Sequence, residues 1–238
     1  MPGPLSAQLQ SRTVIAPGIA ELAFAMRSPE RLAFRAGQFV SLALDAGDPV
    51  PRRSYSIASQ TDAGDVLRFI IRVIPQGKAS EHLMSLPLGT TIAMTGPHGF
   101  FVLDPVHHGD VVFAATGTGV AAVMPMLGEL AARPASERKR TIMYWGLRQE
   151  QDIFARDEID ALAARSGAQL AIHLTAPEPG WRGGRGRLTP ALLDRLPELT
   201  APTFYLVGNG AMITELKREL VSRGVNRKTQ IRTEAFFD

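Results

Sequence analysis

Hydrophobic positions change their rhythm once along this chain, near Pro105. Upstream, the first hundred residues read as short strands and turns. Residues 38–44, 55–58, 66–74 and 90–95 are β-prone stretches separated by Gly, Pro and Asp. Within the third, Arg68 and Arg72 share one side of a strand and Phe69, Ile71 and Val73 the other. One helix is expected in this half, around residues 80–86. Downstream, compact apolar strands alternate with helical periodicity. Strand 110–115 precedes Val120, Val123, Met124, Leu127 and Leu130 at helix spacing. Strand 141–145 precedes a helix carrying Ile153, Phe154, Ile159 and Leu162, and strand 169–174 leads to a short helix from about Pro190. Strand 203–207 precedes a helix with Met212, Ile213, Leu216 and Leu220, and a strand at 229–233 closes the pattern. Strand and helix alternating in this way give a parallel sheet with both faces covered. The expected fold class is thus two-domain, an antiparallel β-barrel over 1–105 followed by an α/β domain with a parallel sheet over 106–238.

Composition narrows the chemistry. With 238 residues, 45% hydrophobic and 21% charged, the chain can bury two ordinary cores. No apolar run approaches the ~18 residues of a membrane helix, and residues 1–10 lack the basic start and apolar stretch of a secretory signal. No membrane insertion is expected, and the expected location is cytoplasmic. Cysteine is absent, which excludes disulfides, Cys-ligated zinc, iron–sulfur clusters and thiol catalysis on this chain. His107 and His108 have no third ligand at metal spacing and read as a solvated loop pair, so no metal is expected. The net charge of +3 is scattered, with neither the basic stripe nor the aromatic platform of a nucleic-acid binder.

Five places carry candidate chemistry. Arg53-Ser54-Tyr55-Ser56-Ile57-Ala58-Ser59 sets a cationic fork, an aromatic ring and hydroxyls on one β segment. Such a set can hold a phosphorylated aromatic ligand, and equally forms an ordinary strand with an exposed Arg. Gly77-Lys78-Ala79-Ser80 opens a helix, where backbone N–H groups favour an anion and Ser80 is placed to cap; a plain capped helix reads the same. Thr116-Gly117-Thr118-Gly119 follows a strand and opens a helix, the setting of a dinucleotide turn without a full G-x-G-x-x-G. Arg148 ends the second strand of this half, where an Arg favours the 2′-phosphate of NADP over NAD. Arg182 and Arg187 add cations in a loop that is either a nucleotide contact or simply solvated.

Arg-x-Tyr-Ser followed by Ile-Ala-Ser resembles the flavin motif of the ferredoxin–NADP⁺ reductase superfamily. Further resemblances follow in the family's order: Gly77 to Ser80, Gly96-Pro97-His98-Gly99-Phe100-Phe101, the Gly117–Gly119 turn, Gly208 and Met212, and Glu234-Ala235-Phe236. The resemblance implies FAD, with Arg53 and Gly77, Lys78, Ala79 and Ser80 at its pyrophosphate. Tyr55 would pack on the flavin ring, with Ser54 and Arg72 lining it. Ser56 and Glu234 would serve hydride transfer beside flavin and nicotinamide, and Phe236 would cover the flavin. NADPH, with NADH possible, would contact Thr116 to Gly119, Arg148, Arg182, Arg187, Gly208 and Met212. Gly-Pro-x-Gly is read as a corner without a catalytic role. Two departures stand out: Ala122 replaces the usual Pro, and Val207 the Cys of many relatives. The implied electron partner is ferredoxin, flavodoxin or another redox protein, including an oxygenase whose cluster lies on another chain. A flavin reductase that releases its product, and a flavin-binding regulatory subunit without turnover, fit the same motifs.

Overall fold

The computed structural model describes residues 5–44 and 51–236. The chain divides into two compact units, Met1–Val102 and Leu103–Asp238, and each contains one six-stranded sheet.

The first unit contains β1 (Leu5–Ala16), β2 (Ile19–Ser28), β3 (Phe39–Ala43), β4 (Arg52–Ser56), β5 (Val66–Arg72), helix α1 (Lys78–Ser85) and β6 (Thr91–His98). Its strands are antiparallel in the order β4-β3-β6-β1-β2-β5. The ends of that order meet just past β4. There Ala58 N–H donates to the Arg68 carbonyl at 2.8 Å, and Arg68 N–H donates to Ser59 Oγ at 2.6 Å. The sheet therefore closes around Leu22, Phe24, Val40, Leu42 and Phe69. Phe24 and Phe69 are fully buried with ring centroids 5.9 Å apart, and burying one such ring contributes about 2–3 kcal/mol.

Several boundaries differ from the sequence expectation. The hairpin β1–β2 was not among the expected strands, because register shifts at Leu9/Ser11 and Val14/Ala16 interrupt the alternation of β1. β4 spans Arg52–Ser56 rather than 55–58; its ladder with β3 pairs Arg53 with Leu42 and Ser56 with Phe39. Ile57, Ala58 and Ser59 are buried as the chain leaves β4 for β5. Gly96, Pro97 and His98 are the last residues of β6 instead of a corner.

The second unit contains β7 (Val111–Thr116), α2 (Val120–Ala132), β8 (Thr141–Leu147), α3 (Arg156–Ser166), β9 (Ala168–Leu174), β10 (Gly184–Arg185), α4 (Leu188–Arg195), β11 (Thr203–Asn209), α5 (Gly210–Ser222), α6 (Arg227–Gln230) and β12 (Ile231–Phe236). All six strands are parallel, in the order β10-β9-β8-β7-β11-β12. The chain builds outward from β7 through β8 and β9, then returns to place β11 and β12 on the other side. That reversal makes the carboxyl ends of β7 and β11 a topological switch point. One face buries Val112, Ala114, Tyr144 and Leu206 together with Leu192 of α4 and Leu216 of α5; α2 and α3 pack together and against β7 and β9.

Here too the sequence pattern was read slightly out of place. Ile153 and Phe154 precede α3 rather than belonging to it, since Ala155 takes φ 45° and the helix starts at Arg156. Phe154 is buried all the same, edge-on to Trp145 at 5.1 Å. The last strand runs Ile231–Phe236 instead of 229–233, because Asn226 caps a helical turn over Arg227–Gln230 by accepting the N–H groups of Lys228 and Thr229.

His107 is not part of a solvated pair. It is buried, at 6% exposure, while His108 is exposed. Its Nε2 lies 3.0 Å from the Tyr205 hydroxyl and its Nδ1 2.9 Å from an Arg133 guanidinium nitrogen. Tyr205 also accepts the Asp104 N–H, and Arg232 makes a bidentate contact to the Asp104 carboxylate at 3.0 and 3.1 Å. Because the Arg133 guanidinium can only donate, Nδ1 is the acceptor and Nε2 carries the proton. Burial first, then the Arg133 charge, hold His107 down at about 4, against 6.5 for an ordinary imidazole. The folded pKa is depressed, so the unfolded chain binds the proton first and stability falls as pH drops from about 6.5 to 4. Denaturant midpoints across that window should show a loss of roughly 2–3 kcal/mol, and His107→Gln should flatten that segment of the curve. An unchanged pH profile in His107→Gln would show that the loss arises from other groups and that His107 is not held below the ordinary imidazole range.

Candidate functional site

In the first unit the candidate flavin residues lie on β4 and at the start of α1. Because side chains alternate along a strand, Arg53 and Tyr55 share one face of β4, and Ser54 and Ser56 the other. Tyr55 stands opposite Val40, packs against the barrel core and lies 6.5 Å from the Phe69 ring. Burial pushes its phenol up to about 12, with the Arg53 charge opposing, so it is a neutral hydroxyl at any physiological pH. Arg53 and Ser54 are exposed. Ser56 is different: its hydroxyl is buried and has no hydrogen-bond partner among the described residues. A buried hydroxyl left unpaired costs about 1–3 kcal/mol, so this atom is available to hydrogen-bond a bound group.

Arg72 ends β5 and is exposed. After it the chain turns sharply, with Gln76 at φ 62° and Gly77 as the N-cap of α1. A Cβ on Gly77 would lie 2.8 Å from the Ile74 carbonyl oxygen, so only glycine fits. Ser80 does not cap the helix. As its third residue it is buried, accepts the Ile74 N–H at 3.0 Å and bonds back to the Ile74 and Gly77 carbonyls at 3.3 and 3.1 Å. It holds the turn shut, while Lys78 and Ala79 carry the first-turn N–H groups that have no partner within the helix.

In the second unit the candidates gather at the switch point. Thr116 ends β7, a 3₁₀ turn covers Gly117–Gly119, and α2 starts at Val120 with no side-chain cap on these turns. A Cβ on Gly119 would lie 3.0 Å from the Val207 carbonyl oxygen, so glycine lets the turn sit tightly over the end of β11. Trp145 fixes the same turn by donating its indole N–H to the Gly117 carbonyl at 3.0 Å. An uncapped helix start has the free N–H groups and the dipole that favour an anion such as phosphate. Gly208, at φ 113°, and Met212 lie at the end of β11 and in the first turn of α5. Asn209, which was not among the sequence candidates, caps α5 by accepting the Ala211 and Met212 N–H groups. Its place directly before a helix was the available signal.

The ladder between β11 and β12 sets Glu234 opposite Val207 and Phe236 opposite Asn209. Burial raises Glu234 to about 7, so near neutrality a large part of it is an uncharged acid able to donate a hydrogen bond. Phe237, the second aromatic of the terminus, lies outside the described residues. Arg148 is exposed directly after β8. Of the loop arginines, Arg182 is exposed, and Arg187 is exposed with a 3.0 Å contact to Glu215. Arg185, by contrast, is committed to the carbonyls of Glu178, Pro179 and Trp181 and ties the loop together. Among the described residues no group of three or more His, Cys, Asp or Glu is placed to hold a metal, and no helix is long and apolar enough to cross a membrane.

The residues present fit both cofactors: an orphaned buried hydroxyl beside Tyr55 suits a flavin, and an uncapped, glycine-cleared turn at the switch point suits a dinucleotide phosphate. Comparison with known proteins agrees. Residues 6–103 match the oxidoreductase FAD-binding domain and residues 113–218 the oxidoreductase NAD-binding domain. The chain is 34% identical over 234 residues to ferredoxin–NADP reductase B of Sorangium cellulosum, covering 94% of this chain and 95% of that protein. It is 29% identical over 205 residues to NADH-cytochrome b5 reductase 1 of Debaryomyces hansenii, covering 84% and 72%. Among solved structures, the Amycolatopsis cytochrome P450 reductase superposes with a TM-score of 0.85 at 27% identity, covering 98% of this chain and 70% of that one. A flavin-binding antiparallel barrel followed by a nucleotide-binding parallel sheet, matched along nearly its whole length, makes this chain a member of the ferredoxin–NADP⁺ reductase superfamily of FAD- and NAD(P)-dependent oxidoreductases.

Proposed function

We propose that this oxidoreductase takes reducing equivalents from NADPH and delivers them to a separate redox protein in the cytoplasm, a ferredoxin, a flavodoxin or an oxygenase component. The observation that carries the choice of nucleotide is Arg148, an exposed guanidinium directly after β8, where the adenosine ribose of a switch-point dinucleotide lies and where an acidic residue would favour NADH. The relative from Sorangium cellulosum is named for the same nucleotide and for ferredoxin, and the sequence pI of about 9.6 suits an acidic partner.

Bound FAD supplies the redox chemistry, accepting a pair of electrons and releasing them singly or together. The chain supplies position and polarity. Arg53 and the N–H groups of Lys78 and Ala79 hold the flavin's phosphates, and Tyr55 presents a neutral, packed ring to it. Ser56 offers a hydroxyl that has no competing partner. The Gly117–Gly119 turn takes the nucleotide's phosphates, with Arg148 on the 2′-phosphate and Arg182 and Arg187 beside it. Glu234, held near neutrality by burial, donates a hydrogen bond to the nicotinamide without placing a full charge beside it. Met212, half-buried in the first turn of α5, gives the nicotinamide an apolar wall, Val207 is fully buried behind it, and Phe236 covers the flavin face.

Steady-state reduction of ferricyanide by NADPH and by NADH tests the nucleotide assignment. The parent should prefer NADPH in kcat/KM, and Arg148→Ala should erode that preference by about 10- to 100-fold, the worth of a charge-assisted contact to phosphate. The loss should appear in KM for NADPH with NADH untouched. A parent that prefers NADH, or a preference indifferent to Arg148→Ala, overturns it.

A further inference from the structure

Thr116 occupies a slot that two glycines on neighbouring strands leave open. A Cβ on Gly208 of β11 would lie 2.4 Å from Thr116 Oγ1, and a Cβ on Gly146 of β8 would lie 3.2 Å from Thr116 Cγ2. Since β8 and β11 flank β7, this single side chain packs against both neighbours at the carboxyl edge of the sheet. Its methyl faces β8 and its hydroxyl faces β11.

The backbone pairing of β7 with β11 ends at Val207 opposite Ala115, because the chain then swings into the Gly117 turn. One step further, Thr116 Oγ1 accepts the Asn209 N–H at 2.8 Å, so a side chain continues the ladder where the backbone no longer can. Asn209 in turn caps α5 through Ala211 and Met212 at 3.0 and 3.1 Å. The same stretch of β11 carries Val207, which pairs with Glu234 on β12. The Thr116 hydroxyl thus ties the Gly117–Gly119 turn to the strand end, the helix start and the carboxylate on the far side.

We infer that Thr116 is a positioning residue for the nicotinamide side of the site, acting through Asn209, and is not itself a ligand of the nucleotide. Its hydroxyl sets Val207, Gly208 and Glu234 at a fixed height relative to the turn that receives the phosphates. This rests on the functional reading above. It also revises the sequence expectation, which placed Thr116 among the groups touching nucleotide.

The test compares the parent holoenzyme with Thr116→Val, which keeps the volume and loses the hydroxyl, and Thr116→Ser, which keeps the hydroxyl. Three quantities are measured: single-turnover flavin reduction by NADPH, NADP⁺ affinity by calorimetry, and amide hydrogen exchange at Asn209. Thr116→Val should slow reduction by about 10- to 100-fold, the penalty of a small misplacement of reacting groups, with NADP⁺ affinity unchanged and Asn209 exchange accelerated. Thr116→Ser should restore both rate and protection. The inference is overturned if Thr116→Val keeps the parent rate and protection, if it loses NADP⁺ affinity at an unchanged rate, or if Thr116→Ser is equally impaired. A parent that neither nucleotide reduces sinks the functional reading instead. The hold of the hydroxyl on Asn209 is then decided by exchange alone: loss of protection in Thr116→Val but not Thr116→Ser upholds it, and equal protection in all three refutes it.

Discussion

Alanine at position 56 is expected to slow flavin reduction by about 10- to 100-fold with FAD still bound, and to leave the flavin-free protein no less stable than the parent. The two halves of this expectation have one cause. The Ser56 hydroxyl is buried and finds no partner among the described residues, so in the flavin-free fold it is a desolvated group with nothing in return. Removing it there is neutral or stabilising by about 1 kcal/mol. On the proposed reading, with FAD bound the same hydroxyl would be a donor to the reacting part of the ring, and its removal would take away that donor where charge develops. FAD itself should stay, because Arg53, Tyr55 and the Gly77–Ser80 turn are untouched. Rapid-mixing reduction and denaturant unfolding of the stripped protein check the two halves separately. A parent-like reduction rate removes Ser56 from the chemistry; a destabilised flavin-free variant shows that the hydroxyl has a structural partner.

Gly208→Ala should be the more damaging change to the nucleotide side. Its φ of 113° lies where side-chain-bearing residues rarely go, a strain of about 1–3 kcal/mol. The added methyl carbon would stand 2.4 Å from Thr116 Oγ1 and 2.6 Å from the Thr116 backbone oxygen. A flexible side chain could swing aside, but a backbone carbonyl in a central parallel strand cannot. The end of β11 must therefore move away from β7, carrying Val207, Asn209 and the start of α5 with it. NADPH-driven reduction should fall by about 100-fold or more, while FAD content should be unchanged because Arg53, Lys78 and Ala79, the residues proposed to hold its phosphates, lie in the first unit. Gly180→Ala, at a position with nothing within 4 Å, serves as the control and should behave like the parent. Retained turnover in Gly208→Ala would mean that β11 and β7 need not meet closely for the reaction.

The family and the elements that carry the candidate site were legible because the residues involved have few substitutes. Glycines at a strand–helix turn, an Arg beside a Tyr and a Ser on a strand, and strict strand–helix alternation each report a local physical demand. Part of what escaped was non-local. The Thr116–Asn209 bond joins residues 93 positions apart, and periodicity contains no trace of such a contact. His107 looked solvated beside His108, yet its partners Arg133 and Tyr205 are supplied by distant elements. Ser80 was read as a cap because Ser favours helix starts, whereas Gly77 takes that place and Ser80 bonds backward into the turn. The β1–β2 hairpin was hidden by bulges that break a clean alternation, and the shift of the last strand by a capped turn at Asn226 is what brings Glu234 and Phe236 into the sheet.

The most direct measurement of the central claim is an anaerobic titration of the FAD-loaded protein with NADPH, followed by its flavin absorbance. One equivalent of NADPH should bleach the visible flavin band within a single rapid phase, and NADH should require a higher concentration to do the same. A protein that holds FAD but is bleached by neither nucleotide would contradict the account, because the barrel and the parallel sheet would then bind their cofactors without reacting them.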